Sequence, residues 1–458
     1  MGCRTLVSRR RAAEPWGAGR GKAVVSEGPF RVGAWLPSDQ RVLDAWLSRL
    51  VAAVEQEYEG DDADGSEADR TLAFAGPGRR PRRGLLPVVE EFRRTVDDDP
   101  ELYMLFRFML QQVPFDRTPT DQPQVKSTEQ MFRLFDYVLR HAPEYDDTGL
   151  VGFPINAILD WAMGTQAGFA AFLNDKANAC FKKMLDQWAV FLASSDSRHV
   201  LHRDDNGWLG RKAMARMPRF AQEYVCRPQD PHYGFTSWDD FFARRFRPGA
   251  RPVASRDDPR VVVNACESAP YCLRRDVKWR DEFWMKGQPY SLSHMLAGDP
   301  LAEAFIGGTV YQAFLSALSY HRWHSPVDGR VVKAYVQDGS YYSQTPVEGF
   351  DPESPNRSQA YLTEVATRAI ILIEADNPAI GLMGLLPVGM AEASTCEITA
   401  YEGQRVGKGQ ELGTFHFGGS THCLLFRPGV DLDFDLRGQD PGLDTVNIPV
   451  NSRIATVR

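Results

Sequence analysis

The chain has 458 residues, of which 43% are hydrophobic and 25% are charged, and its formal net charge is −7. This length can bury a large core and two or three structural units. The acidic balance argues against a nucleic-acid partner, and no run of 18 apolar residues predicts a membrane span. The seven cysteines show no Cys-x-x-Cys pair, which is typical of reduced thiols in an intracellular protein, so we expect a cytoplasmic location.

The first segment of the chain has no hydrophobic periodicity. Residues 1–34 are rich in Gly, Arg and Ala, and we expect them to form a disordered tail. They hold no apolar signal-peptide core, and Leu6 breaks the myristoylation pattern that begins at Gly2. Residues 35–84 predict one helix, capped by Ser38, and then a linker that is first acidic and later rich in Gly, Arg and Pro.

Residues 85–258 have apolar side chains at helical spacing and predict a helical N-terminal domain, with helices within 85–112, 128–140, 155–173 and 178–192. The last of these places five large side chains on one face, which we interpret as core packing rather than a ligand site: Phe181, Met184, Leu185, Trp188 and Leu192. An arginine-rich run at 244–251 predicts either a basic patch for anionic lipid or ion pairs on a solvated face.

Residues 259–458 change to short β-rich runs punctuated by Gly and Pro, so the chain as a whole predicts an α+β fold. Strands are expected at 261–263, 329–336, 369–374 and 395–401. The segment 402–413 is typical of the turn in a lipoyl- or biotin-carrier barrel, although the carrier sequences Met-Lys-Met and Asp-Lys-Ala are absent. We therefore interpret it as a structural turn that leads into the next strand.

That next strand contains two glycines before a pair of hydroxyl residues: Gly418, Gly419, Ser420 and Thr421. Glycine allows backbone angles that other residues avoid and lets other groups approach closely. A serine after such a turn can be an exposed nucleophile, whereas the competing interpretation is a plain turn.

Two of the nine histidines, His321 and His324, lie three residues apart and just before Pro326. This spacing is compatible with a metal pair on a helix, with two buried core histidines, or with catalytic bases. No third metal ligand is evident from spacing, and Pro326 ends any helix soon after the pair.

Together these segments resemble the phosphatidylserine decarboxylase family. The resemblance rests on the His-Arg-x-His-x-Pro segment, the Gly-Ser-Thr self-cleavage site, the Phe-Phe-x-Arg run at 241–244 and the Lys-Gly-x-x-Tyr segment at 286–290. These matches run in the family's order over roughly residues 230–458.

The resemblance implies a catalytic decarboxylase domain over 259–458 that cleaves itself between Gly419 and Ser420. The Ser420 hydroxyl attacks the Gly419 carbonyl, and elimination converts the serine into a pyruvoyl group, which is the covalent cofactor. The resemblance assigns His324 as the base for cleavage and His321 to the decarboxylation step. Glu267 stands where the family has the acid of the triad, with Asp328 as its rival, and no metal is implied.

Further segments, among them 233–235, 265–268 and 415–420, are similar to a fungal branch that includes the L-tryptophan decarboxylase of the psilocybin pathway and other aromatic amino-acid decarboxylases. The expected function is decarboxylation of free aromatic L-amino acids, with L-tryptophan giving tryptamine. The expected partners are the small-molecule substrate and the two cleaved chains, which stay together. The alternatives are a phosphatidylserine decarboxylase making phosphatidylethanolamine and an inactive scaffold or binding homologue. Thr421 departs from the tryptophan enzyme, which has Ser there.

Overall fold

The computed structural model describes residues 39–59, 84–114, 118, 121, 124–146, 153–281, 290–316, 318–345, 356–392 and 395–458. The predicted tail at 1–34, most of the predicted linker, and the Lys-Gly-x-x part of the segment at 286–290 lie outside the described residues.

Helices dominate the first half of the described chain, as the apolar periodicity predicted. They are α1 (Gln40–Glu59), α2 (Pro87–Asp98), α3 (Pro100–Gln111), α4 (Thr128–Leu139), α5 (Pro154–Met163), α6 (Gln166–Leu173), α7 (Asp175–Ala193), α8 (Arg211–Arg216), α9 (Phe220–Glu223) and α10 (Trp238–Phe242), followed later by α11 (Leu292–Met295) and α12 (Gln359–Val365). Local sequence explains several starts. Pro87 and Pro100 occupy the first turns of α2 and α3, and the Asn174 side chain accepts hydrogen bonds from the first backbone N–H groups of α7.

The aromatic stripe on α7 packs into the core of the helical part, which confirms the interpretation from sequence. All five of its side chains are buried. The Phe181 ring lies edge-on to Phe92 at a centroid distance of 4.8 Å, and it also contacts Tyr342 at 4.8 Å. Because Tyr342 belongs to the β-rich half of the chain, the two halves share one hydrophobic core.

Thirteen strands are described after residue 259: β1 (Val261–Val263), β2 (Ala269–Arg275), β3 (Thr309–Leu315), β4 (Arg322–His324), β5 (Gly329–Gln337), β6 (Arg368–Ala375), β7 (Leu382–Met390), β8 (Cys396–Ile398), β9 (Arg405–Val406), β10 (Glu411–Phe415), β11 (Gly419–Phe426), β12 (Leu432–Phe434) and β13 (Arg453–Val457). They form a seven-stranded sheet in the order β2-β3-β11-β7-β6-β5-β9 and two three-stranded sheets, β4-β10-β8 and β1-β13-β12. The helical-then-β-rich architecture is thus confirmed, although the strand expected at 395–401 is shorter.

Strand β11 lies inside the large sheet, with antiparallel neighbours β3 and β7 on its two sides. All eight of its residues are buried. Alternate side chains enter different cores: Leu424 and Phe426 pack in one cluster, and Cys423 and Leu425 pack in another.

The segment 402–413 forms the connection through β9 into β10, as expected of a structural turn. The Lys408 ammonium donates to the backbone carbonyls of Ser255 and Asp258, at 3.1 and 2.7 Å, so it links this turn to the segment before β1. The likeness of this turn to a carrier barrel stays a prediction.

The arginine-rich run differs from both sequence interpretations at Arg244. This guanidinium is 2% exposed, lies 4.6 Å from the Tyr224 ring centroid, and donates to the carbonyls of Leu318 and Ser319. It is therefore neither a lipid patch nor a solvated face, because aromatic rings and carbonyls replace its water. Arg251 does form the predicted ion pairs, with Glu223 and Glu267.

Candidate active site around Ser420

Ser420 lies at the start of the interior strand β11. Its backbone pairs with Leu315 on β3 and with Gly389 on β7. The preceding turn contains Gly418 at a φ of 133°, a conformation that favours glycine, so the predicted special backbone is present. The Ser420 hydroxyl is fully buried and has no hydrogen-bond partner among the described residues.

The short strand β4 contains His324 and directly follows His321, and it lies beside β10, the strand that leads into Ser420. The two strands are antiparallel, and the Phe415 N–H donates to the His321 carbonyl at 2.9 Å. The His321 ring reaches the other side of the site, because its Nε2 lies 3.1 Å from the carbonyl of Ser316. Ser316 directly follows Leu315, the strand partner of Ser420. His321 therefore connects β10, which precedes Ser420 in the chain, with the end of β3, which pairs with Ser420.

His321 is held as a neutral imidazole. Burial, helped by the positive charge of Arg244, lowers the pKa of His321 to about 3. Its ring stacks on Phe242 at a centroid distance of 3.8 Å. Because a carbonyl can only accept, Nε2 carries the proton that is donated to Ser316. Nδ1 then keeps a lone pair and forms no hydrogen bond of normal geometry among the described residues, although the nearby Phe242 carbonyl opposes the lowering of the pKa.

His324 is also neutral, and both of its ring nitrogens are engaged. Nδ1 donates to the Gly409 carbonyl at 2.8 Å, so Nε2 is the acceptor and receives the Tyr320 hydroxyl at 2.9 Å. Burial lowers the pKa of His324. The ring is thus oriented with its basic nitrogen toward Tyr320.

The two candidate acids have other partners in this structure. Glu267 pairs with Arg251 at 2.7 Å and accepts the Val450 N–H at 2.8 Å. Its segment nevertheless lies next to β4, since the His324 N–H donates to the Ala265 carbonyl. Asp328 accepts the backbone N–H of Lys408 at 2.8 Å, as a turn residue does.

His416, which precedes the glycine turn, forms ion pairs that the sequence interpretation missed. Its Nδ1 contacts Asp239 on α10 and its Nε2 contacts Glu397 on β8, each at 2.9 Å. Burial opposes a charge on this ring, but the two carboxylates outweigh it and raise the pKa of His416. The position of this histidine next to the cleavage motif was the only signal in the sequence. Its two carboxylate partners could not be predicted, because they are distant in the sequence.

Aromatic side chains join the helical part to the same turn. The Phe417 ring, three residues before Ser420, lies edge-on to Trp188 of α7 at a centroid distance of 4.9 Å. It also contacts Phe242, the residue that stacks on His321. The conformation of the glycine turn therefore depends on packing from α7 and α10.

Comparison with known proteins places this arrangement in a family. Phosphatidylserine decarboxylase models match residues 86–217 and residues 238–443. The L-tryptophan decarboxylase of Psilocybe cyanescens is 35% identical over 94% of this chain and 95% of its own length. The chain belongs to the phosphatidylserine decarboxylase family.

Two other relatives extend the comparison. The L-tryptophan decarboxylase of Psilocybe cubensis is 37% identical over 82% of this chain and 87% of its own length. Decarboxylase iboD of Amanita muscaria is 43% identical over 62% of this chain and 86% of its own length. The predicted family and fungal branch are confirmed, and with them the assignment to a family of pyruvoyl-dependent carboxy-lyases.

Two further properties bear on the chemistry of this family member. Among the residues that the structure describes, no group of three or more His, Cys, Asp or Glu side chains is arranged to hold a metal ion. Within the same residues, no helix is long and apolar enough to cross a membrane.

Glu392 is a second buried acid that the sequence did not indicate. It follows Met390, the β7 residue paired with Gly419, and is 3% exposed. One of its oxygens accepts the N–H groups of Ile155 and Asn156 at the start of α5, at 2.7 and 2.9 Å. Burial raises the pKa of Glu392 to about 8, so the protonated form is favoured in the fold.

This pKa predicts a pH-dependent stability. Because the folded pKa exceeds the ordinary value, the contribution of Glu392 is fully present at low pH and is lost as pH rises toward about 8, by up to ~1.4 kcal/mol per pH unit. Glu392→Gln keeps an accepting oxygen and does not ionise. The Tm of this variant minus that of wild type should therefore increase from pH 5.5 to pH 8.5. Exposed Glu303→Gln is the control, and a Tm difference independent of pH would contradict the prediction.

Proposed function

We propose that the chain is a self-processing, pyruvoyl-dependent decarboxylase of free aromatic L-amino acids, with L-tryptophan as the first substrate to test. The observation that carries the proposal is the coverage of the two relatives named L-tryptophan decarboxylase, which match this chain over 82% and 94% of its length. These matches include the helical part, whose Trp188 packs against the turn before Ser420. The predicted cytoplasmic location and the domain boundaries stay predictions.

The environment of Ser420 supports its role as the precursor of the pyruvoyl group. Its hydroxyl is buried and unpartnered, so it is not committed to a structural hydrogen bond. The pyruvoyl group, once formed, would supply a ketone that reacts with the substrate amine and accepts the electrons left when CO2 departs. The chain's own residues then have to bind the amino acid, exclude water and move protons.

The two histidines suit these proton movements because both are neutral. His324, the proposed base for cleavage, has its lone pair on Nε2 and is oriented by the Gly409 carbonyl. His321, proposed for the decarboxylation step, has an unpartnered lone pair on Nδ1. Glu267 is the proposed acid, since its segment is hydrogen-bonded to the backbone of His324.

The preference for an aromatic substrate rests on the relatives, because the aromatic rings near Ser420 are buried and packed against one another. Phe242 stacks on His321, and Phe417 lies between Phe242 and Trp188.

The cleavage itself is tested by the mass of the denatured protein. Wild type should give a 39-residue C-terminal piece, residues 420–458, with a blocked pyruvoyl N-terminus. Ser420→Ala should give one full-length chain, because it lacks the nucleophile. A full-length wild-type chain would overturn the proposal and favour the inactive scaffold.

The acid is tested by three variants whose cleavage is followed over time. Glu267→Gln and Glu223→Gln each remove one carboxylate from Arg251, so both weaken the same ion pair. Only Glu267→Gln should slow cleavage strongly, by about 10- to 100-fold, because only it removes the proposed acid. Asp328→Asn should cleave near the wild-type rate. Equal effects of the two glutamate variants would reduce Glu267 to a structural role.

The substrate is tested with purified, fully cleaved protein. Tryptamine and CO2 should form from L-tryptophan without added lipid, and L-phenylalanine and L-tyrosine serve as alternatives. Phosphatidylserine vesicles should give no phosphatidylethanolamine. The reverse result, activity on vesicles alone, would establish the lipid decarboxylase instead.

A further inference from the structure

One face of the strands β3 and β11 leaves three buried side chains without a hydrogen-bond partner among the described residues. Ser420 and His422 are two residues apart on β11 and thus share a face, and Tyr311 lies opposite Leu424 on that same face. The Ser420 hydroxyl, both ring nitrogens of His422 and the Tyr311 hydroxyl are all unpartnered, and the three residues are 0% exposed. The rings of Tyr311 and His422 lie 6.2 Å apart.

The opposite face of the same strand shows that this arrangement is not general. There the Thr421 hydroxyl donates to the Ala313 carbonyl at 2.9 Å and receives the Gln312 amide at 3.1 Å. Gln312 in turn accepts the Tyr290 hydroxyl at 2.6 Å. An unpaired buried polar group costs about 1–3 kcal/mol. The four unpartnered atoms on the Ser420 face of these two strands, beside the satisfied Thr421 and Gln312 on the other face, therefore favour a reacting site there.

Three of the four strand neighbours of these two residues are small. His422 lies across from Ala313 on β3 and Pro387 on β7, and Ser420 lies across from Gly389 on β7 and Leu315 on β3. Residues two apart on a strand are separated by about 6.6–6.8 Å, and side chains lean along the strand direction. A His422 ring that leans toward Ser420 over these small neighbours can close this separation.

We propose that the neutral His422 ring donates a hydrogen bond from its N–H to the Ser420 oxygen and holds that oxygen for attack on the Gly419 carbonyl, while the hydroxyl proton passes to His324. His422 is thus a second histidine of self-processing, besides His324. This inference rests on the proposed cleavage at Gly419–Ser420. It adds no proton transfer of its own, because the base remains His324.

The state of the ring suits this role. Burial lowers the pKa of His422 to about 3, while the nearby Ala313 carbonyl opposes the change without forming a hydrogen bond of normal geometry. The ring therefore stays neutral in the physiological range and has one N–H that can act as a donor.

The test follows the time course of cleavage of the full chain made by cell-free translation, read by denaturing mass spectrometry. His422→Phe keeps the ring volume and removes the N–H donor, and it should slow cleavage by about 10- to 100-fold. His422→Asn and His422→Gln retain an amide N–H donor, and at least one should recover much of the rate. Cys423→Ala, also buried but on the opposite face, is the matched control and should cleave at the wild-type rate.

Hydroxylamine separates the attack from later steps, because it cleaves an ester at residue 420 but leaves the amide intact. His422→Phe should gain no cleavage from hydroxylamine, since the ester does not form. Rapid cleavage with hydroxylamine would place His422 after the attack and overturn the proposal.

The remaining outcomes are also decisive. A folded His422→Phe that cleaves within twofold of wild type would overturn the inference. Loss of folded protein, seen by Tm and circular dichroism, in all three His422 variants would assign the residue a structural role. An uncleaved wild-type chain would instead reject the proposed function itself, which keeps the two failures distinct.

Discussion

The pairing of β11 with β3 and β7 is the constraint on which the rest of the site depends. A peptide bond can be attacked by its neighbouring hydroxyl only if the backbone holds the two groups in a defined geometry. Here Ser420 is fixed by a neighbour on each side, while Gly418 provides the one unusual backbone angle just before it. The Gly419–Ser420 bond therefore lies where a strand fixed on both sides begins directly after a turn. The histidine segment is connected to this bond by the pairing of β4 with β10 and by the contact of His321 with Ser316.

Burial is the second factor, because it keeps three of the histidines near the reacting bond neutral. His321, His324 and His422 lie in apolar surroundings that lower their pKa values, whereas His416 is placed between two carboxylates that raise its pKa. The neutral rings keep lone pairs for chemistry, and the fourth ring ties α10 and β8 to the turn. The same side chain thus serves two purposes, proton transfer and structural ion pairing, because the environments of the four histidines differ.

Sequence alone predicted the helical-then-β order, the buried stripe on α7 and the segments that carry Ser420, His321 and His324, because these depend on local periodicity and short motifs. It did not predict the partners of Glu267, the buried position of Arg244 or the carboxylates around His416. Each of these involves residues distant in the chain, and a charge has the same appearance in a sequence whether it faces water or a core. His422 was missed because a single histidine in an apolar strand carries no motif.

The position of β11 also determines what happens to a processed molecule that unfolds. Cleavage at the proposed bond would leave β11 on the small chain and its two neighbours on the large chain, so the sheet itself would hold the subunits together. Once denatured, the two chains would have to associate again in solution, and β11 of the small chain would have to insert between β3 and β7 of the large chain. Such an enzyme folds efficiently only once, as a single chain, and its working lifetime is set by how slowly it unfolds rather than by its equilibrium stability.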